Sequence, residues 1–172
     1  MTESISLNEL NTCSPENFVQ VLGGVFEHSP WVAQQVLNQR PFATIELLHL
    51  AMVDQVKQAG KPAWLTLVRA HPELAGKAAI RGELTRESLK EQSGAGLDQC
   101  SPQEFHELTR LNQRYKEKFG FPFILAVRGY DRNGIIEQFR QRGQHDLDDE
   151  LAESLRQIYR IARFRLGDLV QE

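Results

Sequence analysis

Only two cysteines, Cys13 and Cys100, occur in this chain of 172 residues, and they form no CxxC pair. That excludes a disulfide framework, and two lone thiols fit a reducing compartment. No apolar run approaches the ~20 residues needed to cross a bilayer. Met1-Thr2-Glu3-Ser4 lacks the basic-then-apolar order of a secretory leader, and Val170-Gln171-Glu172 carries no peroxisomal address. The expectation is a soluble cytoplasmic protein of bacterial type, with no membrane partner. A surplus of positive charge is missing too: 20 Lys and Arg stand against 23 Asp and Glu, mixed along the whole length. Without a basic stripe or a recognition helix, nucleic acid is not an expected partner. Neither GxGxxG nor GxxxxGKS/T is present, so no nucleotide site is indicated. There is no HExxH and no GxSxG elbow, and His28, His49, His106 and His145 are scattered without metal-ligand spacing.

What is present is ordinary globular composition, 41% apolar and 25% charged. The length fits one domain over 1–172, able to bury about two-thirds of its unfolded surface without a metal or disulfide staple. No repeat, linker or low-complexity tract divides it.

Helix signals dominate. Ser14-Pro15-Glu16 places a capping residue before proline, followed by Phe18, Val21, Leu22 and Val25 at helical spacing. Ser29-Pro30-Trp31 repeats that start for a short helix through Val36 and Leu37. Thr44 opens a longer helix with Ile45, Leu48, Met52 and Val56 on one face and Gly60 as its stop. Residues 62–70 read as a further helix ended by Pro72. Thr85 caps a helix through Glu91 and Gln92, and Ser101-Pro102-Gln103-Glu104 is a capping box for a helix reaching Phe119-Gly120. Residues 121–127, short and wholly apolar with Pro122 near the start, read as a buried extended segment. Asp146 caps a long final helix with acids first and arginines later. No period-2 alternation runs over consecutive strands. The expected fold is all-α, a single-domain bundle of about seven to nine helices.

Three features could carry chemistry. His71 precedes Pro72, which disfavours helix at His71 and puts its imidazole on an extended corner. Such a group suits proton transfer, or else it caps helix-end carbonyls. Ser88, Glu91 and Gln92 at i, i+3 and i+4 share a helix face. Together they form either a hydrogen-bonding array for amides and ureas or a solvated polar surface. On the final helix Leu151, Ile158 and Arg165 follow at intervals of seven, so Arg165 points with the core. A buried guanidinium needs a partner, either an internal carboxylate or an anionic ligand.

Four motifs taken together resemble a known family. They are His71-Pro72-Glu73-Leu74-Ala75-Gly76-Lys77; Ser88-x-x-Glu91-Gln92 running into Ala95-Gly96-Leu97; Leu111-Asn112-x-x-Tyr115 with Phe119-Gly120-Phe121-Pro122-Phe123; and Ile161-Ala162-x-x-Arg165-Leu166. In this order they resemble the OHCU decarboxylases, which act on 2-oxo-4-hydroxy-4-carboxy-5-ureidoimidazoline. The likeness runs from roughly residue 7 to residue 170 and is to the stand-alone form rather than a fusion with a transthyretin-like hydrolase.

The resemblance implies an all-α homodimer without metal or organic cofactor, converting a small-molecule substrate to (S)-allantoin and CO2 at the end of urate breakdown. It implies His71 as the catalytic proton-transfer group, Glu91 as its carboxylate and Arg165 as the anion or oxyanion stabiliser. It further implies substrate contacts at Pro72, Ser88 and Gln92, and a wall of backbone groups at Phe123, Ile124, Leu125, Ala126 and Val127. The reading requires these groups to share one small cavity. A binding module that had lost the chemistry would lack one of His71, Glu91 and Arg165, and all three are present. A different small-acid lyase using the same groups remains a rival that only substrate profiling separates.

Overall fold

The structure, a computed structural model, describes residues 3–172. Met1 and Thr2, half of the leader reading, lie outside the described residues. Ten α-helices are present among those residues: α1 (Leu7–Thr12), α2 (Pro15–Leu22), α3 (Trp31–Val36), α4 (Ile45–Ala59), α5 (Lys61–Ala70), α6 (Lys77–Ile80), α7 (Arg86–Gly94), α8 (Pro102–Phe119), α9 (Arg132–Arg142) and α10 (Leu147–Leu169). Short 3-10 turns occupy Leu37–Gln39 and Leu97–Gln99. The only sheet among them is one parallel pairing of β1 (Ile5–Ser6) with β2 (Val170–Gln171). The all-α class expected from the sequence holds. No described helix is long and apolar enough to cross a membrane.

The helix starts follow side-chain chemistry. Ser14, Thr44, Thr85 and Ser101 each accept a backbone N–H of their helix's first turn, and at Ser101 the reciprocal bond from Glu104 completes a capping box. Asp146 likewise accepts from Asp149 N–H at 2.8 Å. Ser29 departs from expectation. Its hydroxyl donates to the Glu27 carbonyl at 2.9 Å, and Pro30 occupies the cap of α3 without a side-chain bond. The helix begins at Trp31, one residue later than the Ser-Pro pair predicts, which leaves Ser29 one position short of the cap.

The described chain divides into two compact units. The first comprises the residues up to Leu67 together with Tyr159–Glu172. Its core holds Leu10, Phe18, Leu22, Phe26, Val32, Val36, Leu48, Met52, Val56, Ala162 and Leu166. The second runs from Val68 to Ile158 and is packed around Leu108, Tyr115, Phe121, Phe123, Ile135, Phe139, Leu151 and Ile158. Here Phe123 stacks on Phe139 with centroids 3.8 Å apart, and Tyr115 meets Phe119, Phe121 and Phe123 at a tilt or edge-on. Helices α5 and α10 each contribute residues to both units.

Candidate active site

In the second unit, α5 ends at Ala70 and the chain turns at His71, as the following proline demands. His71 is buried, only 8% exposed. The backbone beyond it is held from two helices. Gln92 on α7 accepts from the Ala75 N–H at 3.0 Å and donates from Nε2 to the Glu73 carbonyl at 3.3 Å. Asn112 on α8 donates to the Leu74 carbonyl at 2.8 Å.

This grip has work to do, because Ala75 adopts φ +52°, a left-handed conformation that an L side chain enters at a cost of about 1–2 kcal/mol. Gly76 follows where a Cβ would lie 2.6 Å from that of Glu73, so a glycine is required there. Sequence, corner and clamp are therefore one device: the proline turns the chain, the glycine lets it close, and two amides lock it.

The clamp joins His71's corner to the helix carrying Ser88 and Glu91. Ser88 and Gln92 are buried and Glu91 is partly so, and the solvated-face reading of this trio is discarded. Gln92 uses both its amide oxygen and nitrogen on the 73–75 backbone, each atom retaining capacity for one more hydrogen bond. Pro72 is partly exposed beside His71.

Residues 123–127 are all buried and non-helical, as expected. Their backbone is fixed by side chains that sequence reasoning missed. Arg142 Nη1 donates to the Ile124 carbonyl, and Gln157 Oε1 accepts from the Ala126 N–H at 3.0 Å. Arg142 is itself paired with Glu150, its Nη2 2.5 Å from Oε1, and the Tyr115 hydroxyl donates to the same oxygen. Burial and the neighbouring Glu150 carboxylate push the Tyr115 phenol far above the ordinary tyrosine range. Arg142 sits in a charged run that reads as surface, which hid it. Glu150, Ser154 and Gln157 were accessible to inspection, because they follow at i, i+4 and i+7 beside the apolar line of α10.

Arg165 lies in the first unit and is 5% exposed, as its helical phase required. Its Nη2 donates to Glu27 Oε2 at 2.8 Å and its Nη1 to the Gly24 carbonyl at 2.9 Å. Of the two partners considered, the internal carboxylate is present. Glu27 is 1% exposed and sits in the irregular stretch between α2 and α3, where no periodicity marks it as internal. No group of three or more His, Cys, Asp or Glu among the described residues could hold a metal ion.

The sequence profile described as OHCU decarboxylase matches residues 11–167. A curated relative in Halalkalicoccus jeotgali, named 2-oxo-4-hydroxy-4-carboxy-5-ureidoimidazoline decarboxylase, is 38% identical over 96% of this chain and 92% of its own length. The uric acid degradation bifunctional protein PucL of Bacillus subtilis is 37% identical over 97% of this chain, but the match spans only 33% of that longer protein. Among solved structures, a crystal structure of (S)-allantoin synthase superimposes with a TM-score of 0.78 at 27% identity, covering 96% of this chain and 54% of that one. With the profile matched over most of its length and a relative of equal extent beyond 30% identity, the chain belongs to the OHCU decarboxylase family.

Proposed function

We propose that the chain decarboxylates 2-oxo-4-hydroxy-4-carboxy-5-ureidoimidazoline to (S)-allantoin and CO2. The observation that carries this reading is the Gln92 clamp, which ties the corner bearing His71 to the helix bearing Ser88 and Glu91 and buries a hydroxyl and an amide beside them. The substrate carries its carboxylate on a carbon next to a ring C=N bond. When the C–C bond breaks and CO2 leaves, the electron pair flows onto that ring nitrogen, so the substrate supplies its own electron sink. The enzyme must hold the anion, exclude water, remove the hydroxyl proton and deliver a proton to one face of the resulting enediamine-like carbon.

In this proposal His71, oriented by Glu91, moves the proton, a contribution of about 10²–10⁴-fold. Arg165 stabilises an anionic oxygen, its guanidinium held by Glu27. Pro72, Ser88, Gln92 and the Phe123–Val127 backbone fix the ureido arm, so that protonation is one-sided. The protein acts in the cytoplasm as a homodimer of single-domain chains.

The test generates the ureidoimidazoline in situ from urate with the upstream enzymes and follows circular dichroism. Addition of the protein is expected to yield (S)-allantoin faster than the spontaneous, racemic route. A signal that stays racemic at the spontaneous rate defeats the proposal. Sedimentation velocity checks the homodimer, against a chain mass of 19.7 kDa.

A further inference from the structure

Buried backbone outside helices must find partners for its peptide groups, and in the segment 123–127 two of them come from side chains of α9 and α10. The Ile124 carbonyl accepts from Arg142, and the Ala126 N–H donates to Gln157. Both pins are themselves held. Arg142 donates from Nε and Nη2 to Glu150 Oε1 at 2.8 and 2.5 Å and from Nη2 to Ser154 Oγ at 3.3 Å, with its guanidinium carbon 4.4 Å from the Phe123 ring centroid. Glu150 Oε2 meets His145 Nδ1 at 2.9 Å. Gln157 donates from Nε2 to Glu153 Oε1 at 2.8 Å.

A buried ion pair of this depth adds little net stability compared with apolar packing of equal volume. What the rigid fork of an arginine does supply is direction. Peptide groups two residues apart in extended backbone project to the same side, and those of the residue between them project to the opposite side. Ile124 and Ala126 are both claimed from α9 and α10, and in an extended segment that turns the N–H and C=O of Leu125 the other way.

We propose that Arg142 and Gln157 are positioning residues for substrate. By fixing Ile124 and Ala126 they aim the Leu125 N–H at an oxygen of the ring or ureido group and the Leu125 C=O at a ureido N–H. This inference rests on the reading of 123–127 as the substrate wall. Neither side chain touches substrate; each acts through the backbone it holds.

The test uses the full chain. Gln157→Leu removes the acceptor of the Ala126 N–H, while the exchanged pair Glu153→Gln with Gln157→Glu keeps both that acceptor and the bond between positions 153 and 157. In the stereochemical assay Gln157→Leu raises KM by about tenfold, the scale of one misaligned hydrogen bond to substrate, and lowers the enantiomeric excess of the allantoin. The exchanged pair restores both. Arg142→Lys, which keeps a cation beside Glu150 but loses the fork, shifts KM and enantiomeric excess in the same direction. A folded Gln157→Leu protein with a lower Tm but unchanged KM and enantiomeric excess overturns the proposal.

A separate readout isolates the underlying reading. In 15N-labelled wild-type protein, added (S)-allantoin shifts the Leu125 amide resonance if the segment is the wall. That shift together with an unaltered Gln157→Leu enzyme removes the positioning role alone, whereas no shift in the wild type removes the wall and the positioning role with it.

Discussion

At the scale of single residues, the two buried arginines show how far helical phase reaches. Arg165 falls on the line of Leu151 and Ile158, so its burial follows from spacing alone, and a counter-charge follows from the cost of an unpaired ion. The identity of that counter-charge does not follow, because Glu27 sits 138 positions away in irregular backbone. Glu27→Ala should therefore destabilise the protein by about 3–5 kcal/mol, since it strands a buried guanidinium. Replacing both partners, Glu27→Leu with Arg165→Met, should cost less than Glu27→Ala alone. Urea denaturation of the wild type and the two variants checks the order.

The same reasoning applies to Asn112. Asn112→Ala leaves the buried Leu74 carbonyl without its donor, at about 1–3 kcal/mol, and loosens the corner that follows His71. Its kcat should drop while the far-UV spectrum remains helical. An unchanged melting curve and rate would show that the clamp needs only Gln92.

At the scale of elements, the helices with a capping residue and an apolar period were legible: α2, α4, α7, α8 and α10 begin where Ser14, Thr44, Thr85, Ser101 and Asp146 predict. Those that went unread lack one of the two signals. Helices α1 and α6 are six and four residues long, too short to show a period. Helix α9 is mostly polar, with a glycine in its first turn, and its start is marked only by Asp131 accepting from Gly134 N–H at 2.8 Å. The segment 121–127 was legible as buried and non-helical because it is short, wholly apolar and has proline near its start. Of its two pins, Gln157 follows the apolar line of α10 and was open to reading, whereas Arg142 was not, because its charged surroundings read as surface. For the clearest cap, Ser101→Ala should lower stability by about 1 kcal/mol. That corresponds to a Tm decrease of roughly 2–4 °C for a chain of this length, read by calorimetry.

At the scale of the whole molecule, the boundary between the two units falls inside α5 and α10, where no composition shift or linker could have announced it. One buried network has a global consequence. Tyr115 keeps its proton in the folded state well above the usual tyrosine range, whereas the unfolded chain releases it near pH 10. Above that pH the unfolded state binds fewer protons than the folded one, so stability falls as pH rises. Absorbance titration should show the Tyr115 phenolate appearing together with alkaline unfolding, and Tyr115→Phe should remove that contribution to the slope.

The account depends most on His71, buried at the proline corner just before the backbone that Gln92 clamps. The decisive measurement compares wild-type protein with a His71→Ala variant, its fold verified by circular dichroism, on ureidoimidazoline generated in the cuvette. The account predicts rapid (S)-allantoin formation by the wild type and only the slow racemic background from the variant. Stereospecific product at the wild-type rate from a folded His71→Ala protein would contradict it.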